Sequence, residues 1–77
     1  MKFKFLTLKG VISEKDATSC VMPGSEGQFG VLHGHEPMVV SLTKGTIYLK
    51  ADEKTEEYKV TSGVAMIERD SCIIIGE

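Results

Sequence analysis

Turn-forming residues interrupt this 77-residue sequence roughly every five to ten positions, and no other feature limits its fold so strongly. Between these interruptions the residues alternate in polarity or are β-branched, which is typical of short antiparallel strands. No stretch shows the apolar period of an amphipathic helix. We therefore predict an all-β chain with strands at residues 2–8, 11–13, 17–22, 29–32, 38–42, 46–51, 56–60, 64–68 and 72–76.

Many short strands joined by tight turns predict a small antiparallel β-sandwich of two sheets with about nine to ten strands, or else a small barrel. The sequence contains no linker or internal repeat, so residues 1–77 are expected to form a single domain. The first strand is irregular, because Phe3 and Phe5 share one face whereas Leu6 and Leu8 share the other. This switch predicts a bulge, or a strand that passes between the two sheets.

Charge and chain length narrow the possible functions. Nine basic and eleven acidic residues give a net charge of -2, so the chain lacks the broad cationic surface that binds nucleic acid. The longest apolar runs, 64–67 and 72–75, have four residues each. Spanning a bilayer takes about 20, so we expect no direct membrane insertion. A core of this size stabilises a fold by only a few kcal/mol, and a permanent protein partner would add to that.

The two cysteines predict neither a disulfide framework nor a zinc site. Cys20 and Cys72 lie far apart in the sequence, within apolar runs, and form no CxxC motif. We therefore expect two buried free thiols.

Four glycines, two prolines and two histidines fall within residues 23–37, which predicts a shaped loop. Its glycine spacing resembles a phosphate-binding loop, but no Lys-Ser or Lys-Thr follows and Glu26 would repel a phosphate. Neither Ser25 nor Cys20 has the further groups that a nucleophile needs. We expect no catalytic residues and no cofactor.

His33 and His35 leave a second hypothesis open. Two residues apart in extended backbone, they would point the same way and could share a metal ion. A small ligand-binding or metal-binding β-sandwich module is therefore the alternative function. No third ligand is visible, and the two imidazoles are also explained as a turn residue and a packed or hydrogen-bonded side chain.

The same stretch, with positions on either side of it, resembles the epsilon subunit of F-type ATP synthases. The resemblance runs from near residue 3 to the end of the sequence. It is carried by Pro23-Gly24-Ser25-Glu26-Gly27-Gln28-Phe29-Gly30-Val31-Leu32, then Gly34-His35-Glu36-Pro37, Leu42, Gly45 and Ser62-Gly63-Val64.

This resemblance implies a β-sandwich without chemistry of its own. It implies a subunit of the central stalk that couples the gamma subunit to the c-ring of a proton-translocating synthase. The expected location is peripheral, on the cytoplasmic face of the bacterial inner membrane. The family usually continues into a C-terminal helical hairpin, so a chain ending at Glu77 is expected to lack the functions of that hairpin.

The resemblance also suggests which residues make contacts. Glu26 and Gln28 are expected in the loop that faces the c-ring, although the family often has an acid where this chain has Gln28. The gamma-facing residues are expected to be His35, Met38, Val40 and Leu42. Residues 38, 40 and 42 share one face of a strand, so they fit a partner surface or the core of the domain equally well.

Overall fold

The computed structural model describes residues 1–77 and contains nine strands and no helix. It therefore has no helix that could cross a membrane. The all-β prediction is confirmed, and each predicted strand is present. The strands are β1 (Lys2–Thr7), β2 (Gly10–Asp16), β3 (Ser19–Gly24), β4 (Gly27–Leu32), β5 (Met38–Leu42), β6 (Gly45–Ala51), β7 (Lys54–Val60), β8 (Gly63–Ile67) and β9 (Ser71–Gly76).

The strands form one curled, hydrogen-bonded network that makes the two layers of a β-sandwich. Its order is β2-β1-β9-β8-β5-β3-β6-β7, and β4 pairs with the free side of β3. The first five strands of this path form one layer, and β4, β3, β6 and β7 form the other. The layers connect where Gly24 of β3 pairs with Leu42 of β5. All pairs are antiparallel except β1 with β9, which is parallel.

Alternation along the strands builds the core between these layers. Phe3 and Phe5 of β1, for example, point inward while Lys2 points to solvent. Successive side chains of a strand lie on opposite faces, so only the inward-facing residues of a strand can enter the core. The buried cluster consists of Phe3, Phe5, Ala17, Cys20, Met22, Val31, Leu42, Ile47, Leu49, Val60, Ala65, Ile67, Cys72 and Ile74.

The irregular first strand was predicted to contain a bulge or to pass between the two sheets, and the structure has the bulge. The register between β1 and β2 shifts between Phe5 and Leu6, which leaves Ile12 of β2 without a partner on β1. The second apolar pair does not form a buried face, however. Leu6 is half-buried, and Leu8 lies in the turn with 94% of its surface exposed.

Side-chain contacts close one open side of the sandwich, where β2 and β7 are the outermost strands. The Lys15 ammonium pairs with the Glu56 carboxylate, and this hydrogen bond raises the pKa of Lys15. The Tyr58 hydroxyl donates a hydrogen bond of 2.9 Å to Ser13 Oγ. The Tyr58 ring meets the Phe5 ring edge-on at a centroid distance of 5.6 Å. These contacts join the two layers at the side of the sandwich where no backbone hydrogen bonds connect them.

Both cysteines are buried and free, as predicted, and we expect neither to react with Ellman's reagent in the folded chain. The Cys72 thiol and burial together raise the pKa of Cys20, which disfavours its reactive thiolate. The Cys20 thiol lowers the pKa of Cys72, so the protection expected for Cys72 rests on its complete burial. The absorbance of the thiolate released from the reagent should stay at its baseline until denaturant is added. It should then correspond to two reacted cysteines per chain. Rapid reaction in native buffer would contradict the buried placement.

Candidate interaction surface

The β3–β4 hairpin has a tight two-residue turn, formed by Ser25 and Glu26 between two glycines. Gly27 has a φ of 126°, a conformation that side chains rarely adopt. A Cβ at Gly24 would lie 2.7 Å from the Gly27 carbonyl oxygen, so this position also excludes a side chain. The turn therefore holds the exposed Glu26 side chain at the end of the hairpin.

A groove forms where the end of this hairpin meets β5. The Ser25 N–H donates to the Ser41 carbonyl oxygen at 2.9 Å, and the Thr43 N–H donates to the Pro23 carbonyl oxygen at the same distance. These bonds fix the turn against the strand. The groove is lined by Gly24, Ser25, Glu26, Gly27, Gln28, Phe29, Met38, Val39, Val40 and Ser41.

Four of the six residues expected to make contacts therefore lie around one groove: Glu26, Gln28, Met38 and Val40. His35 is their neighbour, because its ring meets the Phe29 ring edge-on at a centroid distance of 5.5 Å.

Burial decides whether residues 38, 40 and 42 belong to a partner surface or to the core of the domain. Leu42 is only 6% exposed and belongs to the core, whereas Met38 is 39% exposed and accessible to a partner. Val40 is half-buried and packs against the core from the groove. Residues 38, 40 and 42 thus run from the surface to the core along a single strand. The sequence pattern does not distinguish these three positions.

The two histidines engage different groups. His33 Nδ1 lies 3.0 Å from the Asp70 carboxylate, and His35 Nδ1 lies 2.7 Å from the Glu36 carbonyl oxygen. The chain contains no group of three or more His, Cys, Asp or Glu side chains placed to hold a metal ion. The geometry therefore adds no third ligand to the two-histidine hypothesis.

The outer face of the five-stranded layer carries apolar side chains that are not among the predicted contact residues. Val39 is 69% exposed and pairs across the sheet with Met66, and Val64 pairs with Ile75. The runs 64–67 and 72–75 indicate this apolar outer face in the sequence, because an uninterrupted apolar run places apolar residues on both faces of a strand. An apolar sheet face next to a polar turn is suited to contact with another protein.

Comparison with known proteins identifies relatives along the whole chain. The family described as ATP synthase, Delta/Epsilon chain, beta-sandwich domain matches residues 1–77. The ATP synthase epsilon chain of Campylobacter jejuni is 37% identical over 78 residues, covering 100% of this chain and 60% of the relative. That of Sulfurovum sp. is 38% identical over 79 residues, covering 99% and 62%. The chain thus spans about three fifths of the length of these curated relatives.

Two cryo-EM structures share the fold. A chain of the Euglena gracilis mitochondrial ATP synthase, in a structure of OSCP, F1 and c-ring, superposes with a TM-score of 0.90 at 22% identity. The match covers 96% of this chain and 48% of the other. A chain of the Tetrahymena thermophila mitochondrial ATP synthase, in a structure of central stalk and c-ring, gives 0.81 at 12% identity and covers 99% and 62%.

Proposed function

Because this chain belongs to the family of ATP synthase delta/epsilon chain β-sandwich domains, we propose that it is a non-catalytic rotor subunit of a proton-translocating F-type ATP synthase. In this role it couples the gamma subunit to the c-ring during ATP synthesis. The observation that carries the proposal is the family match over residues 1–77. The groove between the β3–β4 turn and β5 supports it, because the residues expected to contact the two partners meet there.

The groove suggests how the contacts divide. Glu26 and Gln28 are exposed at the end of the hairpin and contact the c-ring in this proposal. His35, Met38 and Val40 lie beside them and contact the gamma subunit. Leu42 supports the strand from the core and makes no direct contact, since its side chain is buried.

The rest of the proposal follows from this role. Residues 1–77 act as one domain, held between two partners that add to the stability of its small core. The domain lies peripherally on the cytoplasmic face of the bacterial inner membrane. The curated relatives support a bacterial setting, since Campylobacter jejuni and Sulfurovum are bacteria.

Binding to the gamma subunit encoded with this chain tests the proposal. We expect a complex at micromolar concentrations by size-exclusion chromatography or calorimetry, and a ternary complex when the detergent-solubilised c-ring is added. If the chain binds neither partner at these concentrations, the proposed function is wrong.

Replacing Met38 with aspartate is expected to weaken binding to the gamma subunit by about tenfold or more, because it places a charge in a desolvated contact. Calorimetric titration of the Met38→Asp variant with the gamma subunit measures the loss of affinity. Tyr48→Asp is the matched control, because Tyr48 is equally exposed, at 39%, but lies on β6 of the other layer. Thermal unfolding of both free variants separates lost contact from lost stability. Equal weakening by both substitutions would contradict the assignment of Met38.

A further inference from the structure

We propose that the outer edge of β4 is a strand-addition site, where an extended, uncharged segment of the gamma subunit pairs with the backbone of Gln28, Gly30 and Leu32. This inference rests on the proposed function, because it specifies how the subunit engages its partner. Addition of a strand to a sheet edge is a general mode of protein recognition in which main-chain hydrogen bonds provide affinity.

The register of the hairpin shows which backbone groups are available. β4 pairs only with β3, and Gly24 and Gly27 close the hairpin. Because backbone groups alternate in direction along a strand, the N–H and C=O groups of Gly27, Phe29 and Val31 face β3. Those of Gln28, Gly30 and Leu32 face away from it.

Only one of these outward groups is used within the chain. The Leu32 carbonyl oxygen accepts a hydrogen bond of 3.2 Å from the His35 N–H. The remaining donors and acceptors form a row with a repeat of about 6.8 Å, which is two residues of extended strand. This repeat matches the hydrogen-bonding groups of an incoming strand.

The edge of β4 also lacks the features that protect other edges from pairing. β2 has a bulge at Ile12 and a charged run at 14–16, and β7 carries Lys54, Glu56, Glu57 and Lys59. Charges and bulges are the usual means by which edge strands avoid association. β4 consists of Gly-Gln-Phe-Gly-Val-Leu and has no charged side chain. Gly30 is exposed, and a Cβ there would meet nothing within 4 Å, so the face of the strand is also uncovered at this position.

A partner subunit fits this edge better than a second copy of the chain. Six residues of strand present a strip about 20 Å long and about 5 Å wide. Such a strip is far smaller than the roughly 1,200 Å² that a stable interface buries, so two copies paired through β4 alone would not hold together. The gamma subunit would bury more surface, since in the proposed function it also contacts Met38 and Val40 of the adjoining groove.

Hydrogen exchange of the wild-type chain, alone and with its gamma subunit, tests the proposal without any substitution. We expect the amide protons of Gln28, Gly30 and Leu32 to exchange at least tenfold more slowly in the complex. If the complex forms and these three amides exchange as fast as in the free chain, strand addition is wrong while the proposed function stands. If the chain binds neither the gamma subunit nor the c-ring, the proposed function itself fails.

Proline at Gly30 provides the second test. It removes an outward N–H without breaking a bond to β3, and we expect it to weaken gamma binding about threefold to tenfold. Gly30→Ala keeps the N–H and is the matched control, expected to bind as the wild type does. Equal affinity of the two variants would overturn the proposal. The proposal would also be overturned if, in the free chain, protection of the three amides increased with protein concentration. A second copy of the chain would then occupy the edge.

Discussion

Replacing Phe3 with alanine is expected to leave most of the chain unfolded in the absence of partners. Phe3 is 1% exposed and its ring stacks on Tyr58 at a centroid distance of 6.2 Å. Truncating a buried phenylalanine costs about 3–5 kcal/mol, because transfer energy is lost and a cavity remains. A single domain of this size has a net stability of about 3–5 kcal/mol, so the substitution removes most or all of it.

Circular dichroism and urea unfolding of the free chain measure this effect. Leu8→Ala is the control, because Leu8 is an apolar residue of the same hairpin with 94% of its surface exposed. Its substitution should change the free energy of unfolding by less than about 0.5 kcal/mol. A Phe3→Ala chain that unfolds at the same urea concentration as Leu8→Ala would mean that Phe3 does not belong to the core.

The strands were predictable from sequence because alternation and turn residues are local signals. The pairing between strands was less predictable from sequence, as the parallel contact between β1 and β9 shows. Phe3 pairs with Cys72 and Phe5 with Ile74. Each strand would show the same inward and outward residues whether its neighbour ran parallel or antiparallel. The direction of this pair depends on how the chain ends meet across the sheet, which no local pattern records.

The candidate site was predictable in part for a similar reason. Glu26, Gln28, Met38 and Val40 were expected to make contacts, and the fold brings them around one groove. Alternation alone gave Met38 and Leu42 the same face, yet the first is exposed and the second buried. The difference arises because Leu42 lies at the junction of the two layers, paired with Gly24, while Met38 lies at the far end of the strand.

Gly63 falls between the predicted strands 56–60 and 64–68 but lies in a strand of the structure, and its substitution should have the second large effect. Gly63 begins β8 and pairs with Gly76 of β9. A Cβ there would lie 2.5 Å from the Ile75 carbonyl oxygen and 2.9 Å from Gly76 Cα. Both are backbone atoms, so no side-chain rotation relieves the clash. We expect Gly63→Ala to lower the free energy of unfolding by about 2 kcal/mol, within the range for overpacked sites.

Gly30→Ala separates this crowding from the general effect of removing a glycine. Alanine restricts the unfolded chain at either position, which by itself stabilises the fold by about 0.4–1 kcal/mol. At Gly30 nothing opposes this gain, since the Cβ meets no atom within 4 Å. Urea unfolding should therefore place the two variants on opposite sides of the wild type. If both shift the midpoint in the same direction, the close approach of β8 and β9 is not what requires glycine at position 63.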